Sequence, residues 1–441
     1  MKEQSVAQAV RGSLLDFIKP VQTAQQLASQ FRYIEDGLLI LIDGKINWSG
    51  SWETGQFLLP ENCSVTHYPN KWILPGFIDT HIHFPQMEMV GAYGEQLLEW
   101  LNRYTFPTEM RYADQAYATT MASVFIKELL RHGTTTALAL CTVHPESVDA
   151  LFQAADAINM RMIAGKVMMD RNAPAALLDT PEDSYTDSEQ LIKKWHKYHR
   201  LLYAITPRFA PTSTDKQLAL AGQLKQAYPD TYVHTHLCEN LDEIKWVQSL
   251  FPKHKNYLDV YHSYGLTGSH SVFAHGVHLN EDEWDCLAQT DSTIAFCPTS
   301  NLYLGSGLFC HSKAQEKQVR VGLGTDIGAG TSMCQLQTLN EAYKVTQLQH
   351  YSFSALEAFY MITIGGAKAL SLDHLIGNFD MGKEADFVVI DPIATPLQKL
   401  RYHRSSSLIE KLFALIVLGD DRSIYRTYVN GDMAFAREEF R

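Results

Sequence analysis

The sequence predicts an α/β protein: a (β/α)8 TIM-type barrel with a small, β-sandwich-like domain built from both chain ends. Three observations carry this. Between residues 71 and 374, short apolar runs alternate with long amphipathic ones, as when each parallel strand is followed by a helix. Residues 1–70 and 375–441 instead carry short alternating segments punctuated by turn residues. Several of the central runs end in His, Asp or Glu, where barrels of this kind place their chemistry.

The N-terminal part, 1–70, holds Gly37-Leu38-Leu39-Ile40-Leu41-Ile42, then Asp43-Gly44, then Lys45-Ile46-Asn47-Trp48. Asp-Gly between two apolar runs is a strong hairpin signal. The barrel, 71–374, reads as eight strands: Trp72–Ile78, Thr134–Leu140, Arg161–Met168, Leu201–Thr206, Tyr232–His236, Ser271–His275, Thr293–Phe296 and Val319–Gly324. Helical patterns lie between them at Ala113–Arg131, Pro145–Ile158, Ser184–His199, Thr214–Tyr228 and Asn240–Leu250, and beyond them at Gln335–Gln349 and Ser354–Leu370. The gap at 296–318 shows no long helix. In 375–441 short strands return, at 382–391 and at Ser423–Val429 before an Asn430-Gly431-Asp432 turn, and should pair with the N-terminal part.

Composition bounds the function. A chain of 441 residues with 46% hydrophobic and 20% charged residues is ordinary for a globular protein. A net charge of −12, from 37 basic and 49 acidic residues, disfavours a nucleic-acid partner. No signal-peptide pattern and no long apolar span is read, so no membrane partner is expected. The seven cysteines are scattered without a CxxC pair, which fits a reducing cytoplasm.

The stretch PGFIDTHIHFPQ (75–86) places His81 and His83 at i and i+2, on one side of a strand end. His234-Thr235-His236, with Glu239 beyond, ends the fifth strand. His275 ends the sixth, His278 follows it, and Thr325-Asp326 ends the eighth. The fourth runs into Pro207-Arg208-Phe209. A single histidine at a strand end is more often a hydrogen-bonded loop residue than a ligand. Three His and one Asp converging on one barrel mouth suit Zn2+ or Fe2+ with a position left open for water.

PGFIDTHIH, HTHLCE, FAHGVHL and GLGTD, in this order and context, resemble the amidohydrolase superfamily over nearly the whole chain. HFPQ (83–86), VGAYGEQLLEWLNRYTFPTE (90–109), TPRFAPT (206–212), HLCEN (236–240) and CPTSNLYLGSGLF (297–309) resemble its guanine deaminase branch. The resemblance implies His81, His83, His236 and Asp326 as metal ligands, Glu239 as proton shuttle, and His275 as the residue that orients water and substrate. It implies Gln86, Arg208 and Phe209 as guanine-binding positions, with Glu239 and His275 also touching substrate. Asp326 would accept a proton from the attacking water. His234 lies one layer deeper than His236 and reads as a packed, hydrogen-bonded histidine, and His278 is left out as well. The fourth strand carries no lysine, so a bridged two-metal centre is not expected. Lys166 reads as a structural or surface group. The implied activity is hydrolysis of guanine to xanthine and ammonia by a cytoplasmic homodimer using one Zn2+ (or Fe2+) per chain. The alternatives are another ring deaminase of the superfamily, acting on a cytosine, triazine or adenosine-like ring, or a metal-free structural homologue. For Arg208 the bland alternative is a salt bridge with a nearby acid.

Overall fold

The structure is a computed structural model that describes residues 7–93 and 96–438. Strand Ala7–Phe17 pairs antiparallel with Phe31–Ile42, which turns back into Lys45–Ser51. Asp43 and Gly44 make that turn with φ of 50° and 75°, the left-handed pair that a two-residue hairpin needs. On its other side Ala7–Phe17 runs parallel to Ser64–Pro75, and Phe387–Ile390, Ile424–Val429 and Asp432–Ala436 follow antiparallel. The result is one mixed seven-stranded sheet, with strands from both chain ends side by side.

The barrel strands are Phe77–His83, Thr134–Leu140, Arg161–Gly165, Leu201–Pro207, Tyr232–Leu237, Ser271–His275, Thr293–Phe296 and Arg320–Leu323. Every neighbouring ladder along this path is parallel. The ring is drawn together between its ends by two backbone hydrogen bonds. Asp326 N–H donates to His81 O at 2.9 Å, and His83 N–H donates to Ile327 O at 2.8 Å. The same two bonds set Asp326 beside the first strand's histidines.

Several elements differ from the sequence expectation. The run Trp72–Ile78 is not one strand. Trp72 to Pro75 finish a strand of the mixed sheet, and Phe77 starts the barrel. The chain crosses between them at Gly76, where an added Cβ would lie 2.0 Å from Thr135 Oγ1. Arg161–Met168 divides into Arg161–Gly165 and the two-residue strand Val167–Met168. Ser354–Leu370 divides into helices Ala355–Met361 and Ile364–Ala369. The gap at 296–318 holds two short helices, Pro298–Tyr303 and His311–Lys317. The C-terminal part also carries two helices the sequence reading lacks, Pro396–Arg404 and Leu408–Leu418.

Mixed sheet and barrel are joined by a buried charge cluster at the start of the third and fourth barrel strands. Arg161 Nε donates to Glu384 Oε2 at 2.8 Å, and Arg200 Nε reaches the same oxygen at 3.0 Å. Arg200 also donates to Asp386 Oδ1 at 3.1 Å. Burial alone would raise the Glu384 pKa, but Arg161 and Arg200 outweigh it and hold it down to about 2, against an ordinary 4.5. Glu384→Gln should therefore cost about 3–5 kcal/mol at neutral pH, because the buried Arg161 loses its counter-charge and Arg200 keeps only Asp386. A depressed folded-state pKa contributes stability that is complete above about 4.5 and is lost as pH falls through about 2. Melting curves of variant and wild type should accordingly converge across that window. A gap that persists at pH 2 would show that charge is not its cause.

Candidate active site

The site forms at the C-terminal ends of the barrel strands. His81 and His83 alternate onto the inner face of the first strand, and His236 sits on the fifth, in register with Ala274 of the sixth. His81 Nε2 and His83 Nε2 lie 3.1 Å and 3.2 Å from Asp326 Oδ1, and His83 Nε2 lies 3.1 Å from His236 Nε2. These four side chains form a candidate metal site, with one ligand atom of each within 4.8 Å of the others. A tetrahedral ion with bonds of ~2.0–2.1 Å needs ligand atoms about 3.3 Å apart.

The donor chemistry fits a cation. His236 Nδ1 is held by Arg208 O at 2.6 Å; a carbonyl only accepts, so Nδ1 carries the proton and Nε2 is a bare lone pair. His81 Nδ1 is paired with His234 Nε2 at 2.7 Å, which leaves the buried His81 Nε2 facing Asp326 Oδ1. Burial pushes His83 down to about 4, lowers His81, and pushes His236 well below its ordinary value. Burial would raise Asp326, but His81 and His83 hold it well below the usual carboxylate range. Neutral imidazoles and a carboxylate are the states that ligate.

Glu239 follows the fifth strand after Cys238, whose backbone is left-handed at φ 50°. Its pKa is pushed up to about 8 by burial and by the charge of Asp326, against a hydrogen bond from Ser306 Oγ at 3.1 Å. His275 Nε2 lies 3.4 Å from Glu239 Oε2 and 3.8 Å from Asp326 Oδ2. His275 Nδ1 is held by Asn301 Oδ1 at 2.8 Å. His275 and Asp326 both have left-handed backbones, φ 75° and 51°. Such conformations cost ~1–3 kcal/mol each and gather at active sites.

A cavity opens over this centre. Arg208, Gln86, Phe209 and His83 line it together with Leu97, Trp100 and Leu101. Glu109, fully buried, accepts from Arg208 Nη1 at 2.6 Å and from Gln86 Nε2 at 2.9 Å. The cavity therefore combines apolar walls, the Arg208 guanidinium and the raised carboxyl of Glu239.

Residues 72–434 match the amidohydrolase family. The chain belongs to the amidohydrolase family. This amidohydrolase is 65% identical over 437 residues to the guanine deaminase of Escherichia coli (strain K12), which covers 99% of this chain and 100% of that one. The solved structure of E. coli guanine deaminase superposes with a TM-score of 0.95 at 64% identity, over 98% of this chain and 99% of that one. The guanine deaminase of C. acetobutylicum, solved with guanine bound in its active site, superposes with a TM-score of 0.88 at 31% identity, over 97% and 100% of the two chains.

The nine residues given roles in the amidohydrolase sequence line this one mouth: His81, His83, His236 and Asp326 together, Glu239 and His275 beside them, and Gln86, Arg208 and Phe209 across the cavity. His234 packs beneath, its Nε2 on His81. His278 turns away, its Nε2 bonded to Ser306 O at 2.7 Å. Lys166 is buried and pairs with Asp179, far from any surface role. Of the stretch 90–109, Gly94 and Glu95 lie outside the described residues.

Sequence reasoning missed the supporting residues. Asp79, inside PGFIDTHIH, accepts from His81 N–H at 3.2 Å and from Thr325 N–H at 3.1 Å, and burial pushes its pKa up to about 7. Glu243 accepts from Glu239 N–H at 3.0 Å and Asn240 N–H at 3.1 Å. A signal existed for it: Asn240-x-x-Glu243 reads as a capping box, and both halves of that box form. Asn301, Ser306 and Glu109 carried no such local signal.

Proposed function

We propose that the chain hydrolyses guanine to xanthine and ammonia, as a hydrolase acting on the C–N bond of a cyclic amidine. The observation that carries this is the match to the E. coli guanine deaminase along the whole chain. The arrangement of Glu239, His275, Arg208 and Gln86 around one cavity supports it.

His81, His83, His236 and Asp326 would hold one divalent ion, Zn2+ or Fe2+, in each chain. Bound there, such an ion supplies Lewis-acid chemistry, lowering the pKa of water from ~15.7 to near 7. Oδ1 of Asp326 faces the imidazoles, while Oδ2 faces His275 and is placed to take a proton from the attacking water. Oxygen adds at C2 of the purine, and the neighbouring ring nitrogen must gain a proton as C2 becomes tetrahedral. Glu239, protonated up to about pH 8, gives that proton, then takes the one released by the new C2 hydroxyl as it becomes a carbonyl and passes it to the departing amine, which leaves as ammonia. His275, oriented by Asn301, steadies the new oxygen. Phe209 gives the ring an apolar face. Among the described residues only Nη1 of the Arg208 side chain is engaged, by Glu109, so further guanidinium N–H groups are left for the O6 side of the ring. Adenine carries an amine at that position, and donor would meet donor.

The test is ammonia release from guanine, adenine, cytosine and their nucleosides, with and without a change at Arg208. Guanine should be the preferred substrate by a wide margin. Arg208→Ala would strand the buried Glu109 carboxylate and cost stability, so Arg208→Lys is the cleaner variant: it keeps a cation but loses the planar fork. With a charged hydrogen bond worth roughly 1.5–3 kcal/mol, kcat/KM for guanine should fall about 10–150-fold while melting changes little. Unchanged guanine kinetics in Arg208→Lys would confine the arginine to its salt bridge. Equal turnover of adenine by the wild type would sink the guanine reading.

A further inference from the structure

Glu109 touches two of the residues assigned to the purine above, Gln86 and Arg208, and the network around it permits one arrangement only. Its Oε1 accepts from Gln86 Nε2 at 2.9 Å, and its Oε2 accepts from Arg208 Nη1 at 2.6 Å. At its other end, Gln86 Oε1 accepts from Gly328 N–H at 3.1 Å, two residues beyond Asp326. A backbone N–H can only donate and a carboxylate can only accept. Held between the two, the Gln86 amide has a single allowed orientation. Glu109 is fully buried, and Arg208 is 2% exposed. Each charge therefore depends on the other for compensation.

We propose that Glu109 is a positioning residue: it fixes how the Gln86 amide and the Arg208 guanidinium face the cavity, and thereby sets which ring the site accepts. This rests on guanine being the substrate. Glutamine in place of Glu109 has nearly the same shape but cannot satisfy the chain of bonds. If its oxygen faces Arg208, its NH2 meets the NH2 of Gln86. If Gln86 then flips, its own NH2 meets Gly328 N–H. One donor is always left facing a donor. A compensating exchange exists on paper. With Gln86→Glu added, a carboxylate at 86 accepts from Gly328 N–H and from the new amide at 109, whose oxygen accepts from Arg208. Every bond within the network is restored, but position 86 has lost its donor.

The experiment compares kcat and KM for guanine, together with Tm, in the wild type, Glu109→Gln, and the double variant Glu109→Gln, Gln86→Glu. We expect the single variant to melt lower and to raise KM roughly tenfold or more, with kcat within about threefold. The double variant should regain most of the Tm while its KM stays raised. Recovery of KM together with Tm in the double variant would make Glu109 merely structural and overturn the proposal. So would a single variant with KM within about twofold of wild type, or a double variant whose Tm stays down. If the single variant does not fold, the double variant alone carries the comparison. A wild type that releases no ammonia from guanine overturns the guanine reading instead, and the Tm pattern still reports on the hydrogen-bond network, so the two failures are distinguishable.

Discussion

Glu239→Gln is expected to keep the fold and any bound metal and to lose turnover by roughly 10³-fold or more. General acid–base steps are worth roughly 10²–10⁴-fold each, and this carboxyl would serve two transfers, one to the ring nitrogen and one to the departing amine. Glutamine keeps the shape and can still accept from Ser306 Oγ, which lies 3.1 Å from Glu239, so loss of packing would not explain the result. The pH profile adds a second readout. A proton donor raised to about 8 is present below that pH and lost above it, so wild-type kcat/KM should fall on the alkaline side of about 8. That limb should vanish in the variant. Retention of more than about a tenth of wild-type turnover would remove Glu239 from the mechanism.

Removal of the metal is expected to have an effect at least as large. Protein stripped with a strong chelator should lose turnover by more than roughly 10³-fold, since neutral water is a poor nucleophile without Lewis-acid help. Addition of Zn2+ or Fe2+ should restore turnover at about one equivalent per chain and raise Tm, because the ion binds the folded site and not the unfolded chain. One equivalent is expected because His81, His83, His236 and Asp326 complete one set, while Lys166, the nearest candidate for a bridging group by sequence, is committed to Asp179. Cys297 also approaches His275 and Asp326, but burial, with Asp326 adding to it, raises its thiol pKa well above normal. Elemental analysis showing two tightly bound ions, or full activity in stripped protein, would contradict this.

The parts of the site legible in the sequence are those whose side-chain type is itself the signal. An HxH at a strand end, a second HxH with Glu three residues on, and an Asp after an apolar run are each common enough; their convergence on one barrel mouth is what is rare outside chemistry. Glu109, Asn301 and Ser306 were not legible, because what matters about them is a partner far along the chain: Glu109 meets Arg208 across 99 positions, and Ser306 meets Glu239 across 67. Their own neighbourhoods look like ordinary helix ends and loops. The fold shows the same division. Short apolar runs located the barrel strands closely, except at Lys166, where Arg161–Met168 breaks in two, and at Gly76, where one apolar run spans two strands of different sheets. Periodicity does not see a crossing made possible by a missing Cβ. Leu408–Leu418 was missed for a different reason. LIEKLFALIVL is apolar almost all round, and such a run resembles a buried strand until its Ser407 cap is seen accepting from Glu410 N–H.

The mixed sheet also governs the order in which the molecule can be made. Ser64–Pro75 is made about 310 residues before its antiparallel neighbour Phe387–Ile390. Gln8 likewise waits for Gly431, 423 residues later, to receive its hydrogen bond. At ~5–20 residues per second, the strand Ser64–Pro75 spends roughly 15–65 s with one open edge. The nascent chain is thus left with an unpaired template for wrong partners until the far strands arrive.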